Sequence, residues 1–456
     1  MRLRGPLPEI ALAIITLVLL VALSYKLALD VFLAGLALTF VALSVLTALP
    51  SAASGAGWYP LTSVITCDFN RVVLILLVII NFWSCLLAQA TIGPPGQPGL
   101  QPLLSALACS TVFFFVERSW LKLYIYFEFS LIPIFLIIIG WGYQFERLKA
   151  SKAIILYTVT ASLPLLATIV LARGQGGDYI FQANLLYFRG KQLTLISLFF
   201  VAAFLVKLPL LYVHMWLPKA HVEAPVVGSI FLAAVLLKLG GFGLLKVTPL
   251  LEGPKEFSSL LIRIAGWSLV VVRAICTQCT DIKVLIAFSS VAHMALAVLT
   301  LLRGATLRVE CCLLILLRHG ISSSIAFYFR FLFYKKSKTR RMLLNKRARR
   351  SLGRVMALWG ICCLGVMGAP PTFNLWVEIN SFISVIVESF YLRKFLFWGA
   401  LLTGAYRILL VRAPLSFNAQ FKFVNKSRIS GLDKIHLFHS TVLMVLLAVL
   451  APMVLI

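Results

Sequence analysis

Apolar runs of about twenty residues recur along almost the whole chain, separated by short breaks that are charged or rich in proline and glycine. A helix of that length crosses roughly 30 Å of hydrocarbon, whereas the strands of a membrane barrel would alternate apolar and polar positions. The pattern predicts an all-α polytopic membrane protein with about fourteen transmembrane helices. The predicted spans are 8–24, 27–48, 69–90, 102–118, 121–140, 153–172, 192–217, 225–246, 258–277, 282–302, 310–332, 354–390, 392–411 and 436–456.

Two of these runs are predicted to be broken helices. Pro209 and Pro218 interrupt the first, near 207–223, and Pro370-Pro371 interrupts the second, near 370–380. Proline removes a backbone donor, and the freed backbone groups must then be satisfied by water or side chains inside the bundle. Paired discontinuous helices of this kind are typical of transporters built from inverted repeats.

Composition supports the membrane prediction and excludes a soluble protein. The chain is 61% apolar and its mean hydropathy is +0.99, far outside the range of soluble globular proteins. No polar interval is long enough to form a soluble domain. We therefore predict a single transmembrane domain over residues 1–456.

The formal net charge of +27 raises the question of nucleic-acid binding. The basic residues, however, are concentrated in the breaks after odd-numbered spans, above all in two loops at about 333–353 and 412–435. Basic residues mark the inside face of a membrane, so these loops should face inside and both termini outside. We interpret the loops as solvated surfaces or docking sites for other subunits, and we expect no nucleic-acid partner.

We expect neither a cofactor nor a metal ion in this chain. Cys276 and Cys279 form a C-x-x-C pair, but no second pair or nearby histidine completes a metal site. No glycine-rich phosphate loop follows a strand, and no cluster combines a nucleophile with a base and an acid.

Ionisable residues inside the apolar runs are the main candidates for function. An ionised side chain at bilayer depth costs roughly 2.5–3.5 kcal/mol, so such residues usually face a partner or a wet cavity. A buried lysine changes its proton occupancy when a carboxylate approaches, which suits proton transfer. The principal candidates for a proton relay are Glu128, Lys207, Lys238, His293, His319 and Glu378.

A second group of polar residues suggests a side path for protons. Its members are His214, His221, Glu223 and Ser290. Lys207, His214 and His221 recur at intervals of seven and would share one stripe if the helix were continuous. Because His221 and Glu223 lie near a loop, ordinary solvation is the leading interpretation for them. Structural ion pairing of Glu128, snorkelling of Lys238 to the interface and simple packing of the histidines stay open as alternatives.

Seven motifs together carry a family resemblance. They are FEFSLIP, GWGYQFERLKA, LVKLPLLYVHMWLPKAHVEAP, LLKLGGFG, DIKVLIAFSSVAHM, RHGISSS and APPTFNLWVEIN. At these motifs the chain resembles the antiporter-like membrane-arm subunits of the proton-pumping NADH:quinone oxidoreductase, respiratory complex I, in its mitochondrial form. Within that group it is similar to the type that has glutamate, rather than lysine, at the position of Glu378.

The resemblance implies specific roles. Glu128 would pair with Lys207 and control its basicity, Lys238 would bridge to the central histidines His293 and His319, and Glu378 would end the relay. Two departures from the family pattern stand beside these matches. Arg318 adds a charge next to His319, and FYFRFLFYKKSKTRR replaces a tyrosine-glutamate-arginine motif.

The resemblance also implies an environment for the chain. The complex would use FMN, iron–sulfur clusters and ubiquinone in other subunits, and the partners would be other membrane-arm subunits, including two sister antiporter-like subunits. The location would be the mitochondrial inner membrane, with the basic loops facing the matrix, where they could also bind phospholipids such as cardiolipin.

Two alternative functions are compatible with the residues. One is a subunit of a multi-chain sodium/proton antiporter. The other is a structural membrane-arm subunit whose charges only hold helices together.

Overall fold

The computed structural model describes most of the chain. It covers residues 71–89, 99–174, 191–251, 255–303, 308–342, 354–367 and 372–415, apart from residues 72, 76, 87, 118, 143, 338 and 389, together with Asp433 and Leu437. The spans predicted at 8–24 and 27–48, and almost all of that at 436–456, lie outside the described residues. In the part described, the regular elements are helices, with one isolated β-bridge between Asp281 and Arg341.

The described helices follow the predicted order. Residues 71–89 are helical where they are described. The later helices are α1 Leu100–Val116, α2 Trp120–Phe129, α3 Leu131–Trp141, α4 Arg147–Gly174, α5 Lys191–Lys207, α6 Trp216–Glu223, α7 Val226–Phe231, α8 Leu237–Leu251, α9 Lys255–Gln278, α10 Ile282–Arg303, α11 Arg308–Ser337, α12 Arg354–Met367, α13 Phe373–Glu388 and α14 Phe390–Leu415.

Several short helices combine into longer spans. A π-helical turn, Leu232–Leu236, joins α7 to α8, and α2 with α3 forms one apolar stretch. Within the described residues, seven helices are long and apolar enough to cross a membrane. The chain is thus an all-α, multi-pass membrane protein.

The break predicted at Pro209 is confirmed between α5 and α6, whereas Pro218 lies in the first turn of α6, where its missing N–H interrupts no helical hydrogen bond. Helix α5 ends at Lys207, and Tyr212 within the break has a positive φ of 78°. Side chains satisfy the freed backbone groups: the Leu211 N–H donates to Ser268 Oγ at 2.9 Å, and Trp216 Nε1 donates to the Val206 carbonyl at 3.0 Å. Because the helix is not continuous, the seven-residue spacing does not place its basic residues on one stripe.

The second interruption separates α12 from α13. Thr372, just before α13, is not helical, and the prolines themselves lie outside the described residues. The Asn374 amide, in the first turn of α13, donates to the Gly365 carbonyl of α12. The same asparagine offers its own carbonyl to Arg318 of α11 at 3.2 Å. Asn374, just after the break, therefore links α11, α12 and α13.

Glycines allow α8 to approach the break after α5. A Cβ at Gly240 would lie 2.8 Å from the Phe204 carbonyl oxygen and 2.9 Å from the Leu208 nitrogen. A Cβ at Gly243 would lie closer still to atoms of the Phe204 ring. The helix that carries Lys238 is therefore held against the end of the helix that carries Lys207.

The basic loops begin later than predicted. Helix α11 continues to Ser337 and α14 to Leu415, so residues 333–337 and 412–415 are helical rather than part of the loops. Asp433 explains why α11 extends so far. Its buried carboxylate accepts from Tyr328 Oη at 2.8 Å and pairs with Lys335 at 3.2 Å. Beyond α11, the Met342 N–H donates to the Thr280 carbonyl at 2.8 Å.

We predict that Gly240→Ala destabilises the protein by about 1–3 kcal/mol, because the added Cβ meets backbone atoms that cannot rotate away. Gly404→Ala is the matched control, since a Cβ there has nothing within 4 Å. Thermal denaturation in detergent would compare the two variants. Equal denaturation temperatures would contradict the close packing of α8 on α5.

Candidate functional site

Lys207 contacts the residue beside Glu128 rather than Glu128 itself. The buried ammonium donates to the Phe127 carbonyl at 2.7 Å and lies 3.2 Å from the centre of the Phe127 ring. That carbonyl is accessible because the helix is interrupted at Ser130, whose hydroxyl also donates to it at 2.8 Å. Glu128 Oε1 has no hydrogen-bond partner among the described residues. The carboxylate and the ammonium are thus neighbours that interact electrostatically without a direct ion pair.

Lys238 is fully buried, so its predicted alternative of snorkelling to the interface is wrong. The π-helical turn Leu232–Leu236 just before it alters the backbone hydrogen bonding, and its Ala233 carbonyl accepts from Lys238 Nζ at 2.6 Å. The same ammonium lies 2.9 Å from Nδ1 of His319. Lys238 therefore joins α8 to α11 through a direct contact with a relay histidine.

The two central histidines line the same cavity. The ring centres of His293 and His319 are 5.7 Å apart, and their Nδ1 atoms contact Arg318 and Lys238 respectively rather than each other. The volume open to the centres of water-sized molecules is about 30 Å³, which is room for one or two waters. Its polar lining consists of Ser289, His293, His319, Ser322, Ser323, Tyr406 and Arg407. Water in this cavity would contact both rings.

Glu378 lies between two arginines. Its carboxylate pairs with Arg318 of α11 at 2.7 Å and with Arg407 of α14 at 2.5 Å. Arg318 also extends a second nitrogen to His293 Nδ1 at 2.9 Å. Charge-assisted bonds of this kind are the strong hydrogen bonds of proteins. Glu378 is therefore connected to the central histidines through Arg318.

A third arginine completes an arginine cluster, which we define as Arg273, Arg318 and Arg407. Arg273 of α9 is fully buried, and its three guanidinium nitrogens have no hydrogen-bond partner among the described residues. Its position is close enough for electrostatic interaction with Glu378 and both other arginines. In this part of the bundle, three guanidinium groups thus share one described carboxylate.

The secondary candidates are dispersed rather than joined. His214 is buried, and its Nδ1 has no hydrogen-bond partner among the residues that the structure describes. His221 is fully buried and stacks on Phe327 at 4.7 Å, with neither ring nitrogen hydrogen-bonded within the described residues. Ser290 is buried and donates to the Ala287 carbonyl of its own helix. The structure therefore does not connect these three residues by direct hydrogen bonds.

Solvation is the wrong interpretation for His221 and Glu223, because both are buried. Lys283, which sequence reasoning did not select, donates to the Val222 and Ala224 carbonyls at 3.0 and 2.8 Å. Arg340, from the basic segment, lies 3.4 Å from Glu223 Oε1. The end of the broken helix is thus covered by cations from two distant parts of the chain.

The arginine cluster also went largely unrecognised in the sequence. Sequence reasoning gives Arg318 only as a departure from the family pattern and names neither Arg273 nor Arg407 as a site residue. One feature of the sequence could have revealed the arginine cluster: arginine recurs inside three separate apolar runs. A buried arginine needs a partner within the bundle, so three of them indicate a shared site.

Comparison with known proteins identifies the fold as that of an antiporter-like membrane subunit. The family described as NADH:quinone oxidoreductase/Mrp antiporter, transmembrane, matches residues 118–403. A chain of respiratory complex I from Thermus thermophilus has a TM-score of 0.81 at 21% identity, covering 97% of this chain and 96% of that one.

Individual relatives identify the family more specifically. NADH-ubiquinone oxidoreductase chain 4 of Tetraodon nigroviridis is 36% identical over 312 residues, covering 67% of this chain and 68% of the relative. The protein of the same name from Artemia franciscana is 41% identical over 271 residues, covering 59% and 68%. The chain belongs to the NADH-ubiquinone oxidoreductase chain 4 family.

We predict opposite stability effects at Glu378 and Arg273. Glu378→Gln leaves the cluster's cations without their described carboxylate and should destabilise the protein by about 3–5 kcal/mol. Arg273→Met removes a buried cation that has no hydrogen-bond partner among the described residues, and should leave stability unchanged or raise it.

Thermal denaturation in detergent measures both effects. Lys394→Met is the control, because it removes an exposed cation and should change stability by less than about 0.5 kcal/mol. Destabilisation by Arg273→Met as large as that by Glu378→Gln would contradict this view of the cluster.

Proposed function

We propose that this chain is a membrane-arm subunit of respiratory complex I that translocates protons through its buried side chains. The relay consists of Glu128, Lys207, Lys238, His319, His293 and Glu378. NADH oxidation and quinone reduction, with their FMN, iron–sulfur clusters and ubiquinone, belong to other subunits. The observation that supports this most strongly is the buried contact of Lys238 with His319, beside a cavity that also reaches His293.

The Glu128–Lys207 end is suited to receive a signal. Lys207 is bound to a neutral carbonyl, while the carboxylate of Glu128 is nearby but not paired with it. Bringing two unit charges to 4 Å at an effective dielectric constant of 20 is worth about 4 kcal/mol. A rearrangement driven from the quinone end could therefore change whether Lys207 holds its proton by moving Glu128 a short distance.

The centre of the relay is suited to proton transfer. Lys238 can donate directly to the Nδ1 lone pair of His319, because the two nitrogens are 2.9 Å apart. A histidine accepts a proton on one nitrogen and releases another from the opposite nitrogen, so it can pass a proton onward. Water in the cavity that both histidines line would carry the proton from His319 to His293.

A cleft near the end of the broken helix supplies a route for proton uptake. It has a volume of about 350 Å³ and is lined in part by Glu146, Lys149, Lys219 and Glu223. Glu223 is buried yet borders this cleft, and Arg340 and Lys283 lie beside it. A buried carboxylate at the wall of an open cleft is positioned to exchange protons with the outside of the bundle.

The same proposal places the chain in its surroundings. We assign it to the mitochondrial inner membrane, next to the two sister antiporter-like subunits, with its basic loops on the matrix side. Those loops would bind anionic phospholipid, including cardiolipin, through their lysines and arginines. The likeness of the fold to a chain of a respiratory complex I is compatible with this assignment.

Lys238→Met should lower the number of protons translocated per NADH oxidised, because it removes the donor to His319. The measurement is proton translocation by the assembled complex in liposomes, with the NADH oxidation rate recorded in parallel. Lys246→Met is the matched control, since Lys246 lies on the same helix but contacts Glu117 and aromatic rings instead. The control should translocate normally.

The alternatives give different results in the same assay. A purely structural role predicts an unchanged proton-to-electron ratio in the assembled Lys238→Met complex, and that result would overturn the proposal. A sodium/proton antiporter subunit predicts sodium-dependent proton movement in preparations that oxidise no NADH.

A further inference from the structure

Arg318 lies directly between two members of the proposed relay. One guanidinium nitrogen contacts His293 Nδ1 at 2.9 Å and another contacts the Glu378 carboxylate at 2.7 Å. We infer that Arg318 is a positioning residue that closes the path between His293 and Glu378, and that the path opens only when this bridge breaks. The inference rests on the proposed function, because it concerns the last step of the relay.

Arginine cannot itself carry the proton. Its guanidinium has donors only and keeps its proton throughout the physiological range. A proton on His293 therefore cannot reach Glu378 by passing through Arg318, although Arg318 contacts both residues. In the arrangement observed, the arginine separates a proton carrier from its acceptor.

The contact also fixes which proton His293 holds. Because Arg318 can only donate, His293 Nδ1 must be an acceptor, and a neutral His293 carries its proton on Nε2. If a relay proton arrives at Nδ1, two donors and two positive charges face each other at 2.9 Å. The bridge then becomes repulsive. Protonation of His293 is thus the event that breaks the contact.

The groups around Arg318 favour its movement toward Glu378 once His293 is protonated. The Glu378 carboxylate and the Asn374 carbonyl both accept from Arg318, so it retains partners after it loses His293. The other charged and titratable groups around His293 are His319, Lys238, Arg273 and Arg407. All four are bases, and any positive charge they carry repels Arg318 and the newly formed imidazolium alike.

The bridge accounts for a departure of this chain from its family pattern. A continuous hydrogen-bonded relay would let protons run back through the membrane whenever the complex is idle. A fixed cation between His293 and Glu378 opposes this, since a proton must approach a positive charge in a medium of low polarity. The Arg318 guanidinium is held by His293 on one side and by Glu378 on the other, and it is buried, as such a barrier requires.

The test is passive proton flux through the assembled complex in liposomes, driven by an imposed potassium diffusion potential with no NADH present. Arg318→Met should raise this flux by about tenfold or more, because it removes the cation from the path. Arg318→Lys retains the charge and should raise it less. If the methionine variant fails to assemble, Arg318→Gln takes its place in the test. It preserves polarity and much of the size but removes the charge, so it should raise the flux to the same extent.

Arg273→Met is the matched control, since it removes a buried arginine of the same cluster that does not contact His293. It should raise the passive flux less than Arg318→Met does, because Arg273 acts on His293 only through its charge and does not bridge His293 and Glu378. A flux unchanged in both Arg318→Met and Arg318→Gln, or an equal rise in Arg273→Met, would overturn the inference.

A double variant separates this inference from the proposed function. If protons leak through the relay, adding Lys238→Met to Arg318→Met should return the flux to the wild-type value. Persistence of the leak would overturn the inference, since the protons would be using another route. The proposed function is tested independently by translocation in Lys238→Met alone.

Discussion

The structure depends on the cost of placing ionised side chains in a medium that cannot solvate them. A buried charge is tolerated only where another group of the protein replaces its water. Here such groups come from the same span, as the Ala233 carbonyl does for Lys238, or from a distant one, as the Phe127 carbonyl does for Lys207. Lys207 uses a carbonyl exposed by a helix interruption, and Lys238 uses one in a π-helical turn. The irregular backbone and the buried charges are therefore two parts of one arrangement.

The same constraint explains why the two ends of the relay differ. At the Glu128–Lys207 end, the opposite charges are near each other but unpaired, so a small movement changes their interaction. At the Glu378 end, the carboxylate is held by two arginines and can move little without leaving them exposed to an apolar interior. One end is suited to switching, whereas the other holds a fixed charge.

Much of the fold follows from local sequence properties. The length of each apolar run predicts a transmembrane span. Pro209 predicts the break after Lys207, because the missing backbone donor interrupts the helix at the proline itself. Helix ends are harder to predict. Helix α11 continues past its apolar run because buried Asp433, remote in sequence, binds Tyr328 and Lys335. A contact of that kind leaves no trace in local hydrophobicity.

The sequence alone determined that the six relay candidates lie within apolar runs, since residue type and apolar surroundings can be read together along the chain. Only the tertiary structure decided their partners. His319 contacts Lys238 across 81 positions, and Arg318 joins His293 to Glu378 from separate helices. These contacts depend on how the helices rotate and pack against one another. The sequence of one helix shows which of its side chains must be buried, but not which residues of other helices they will contact.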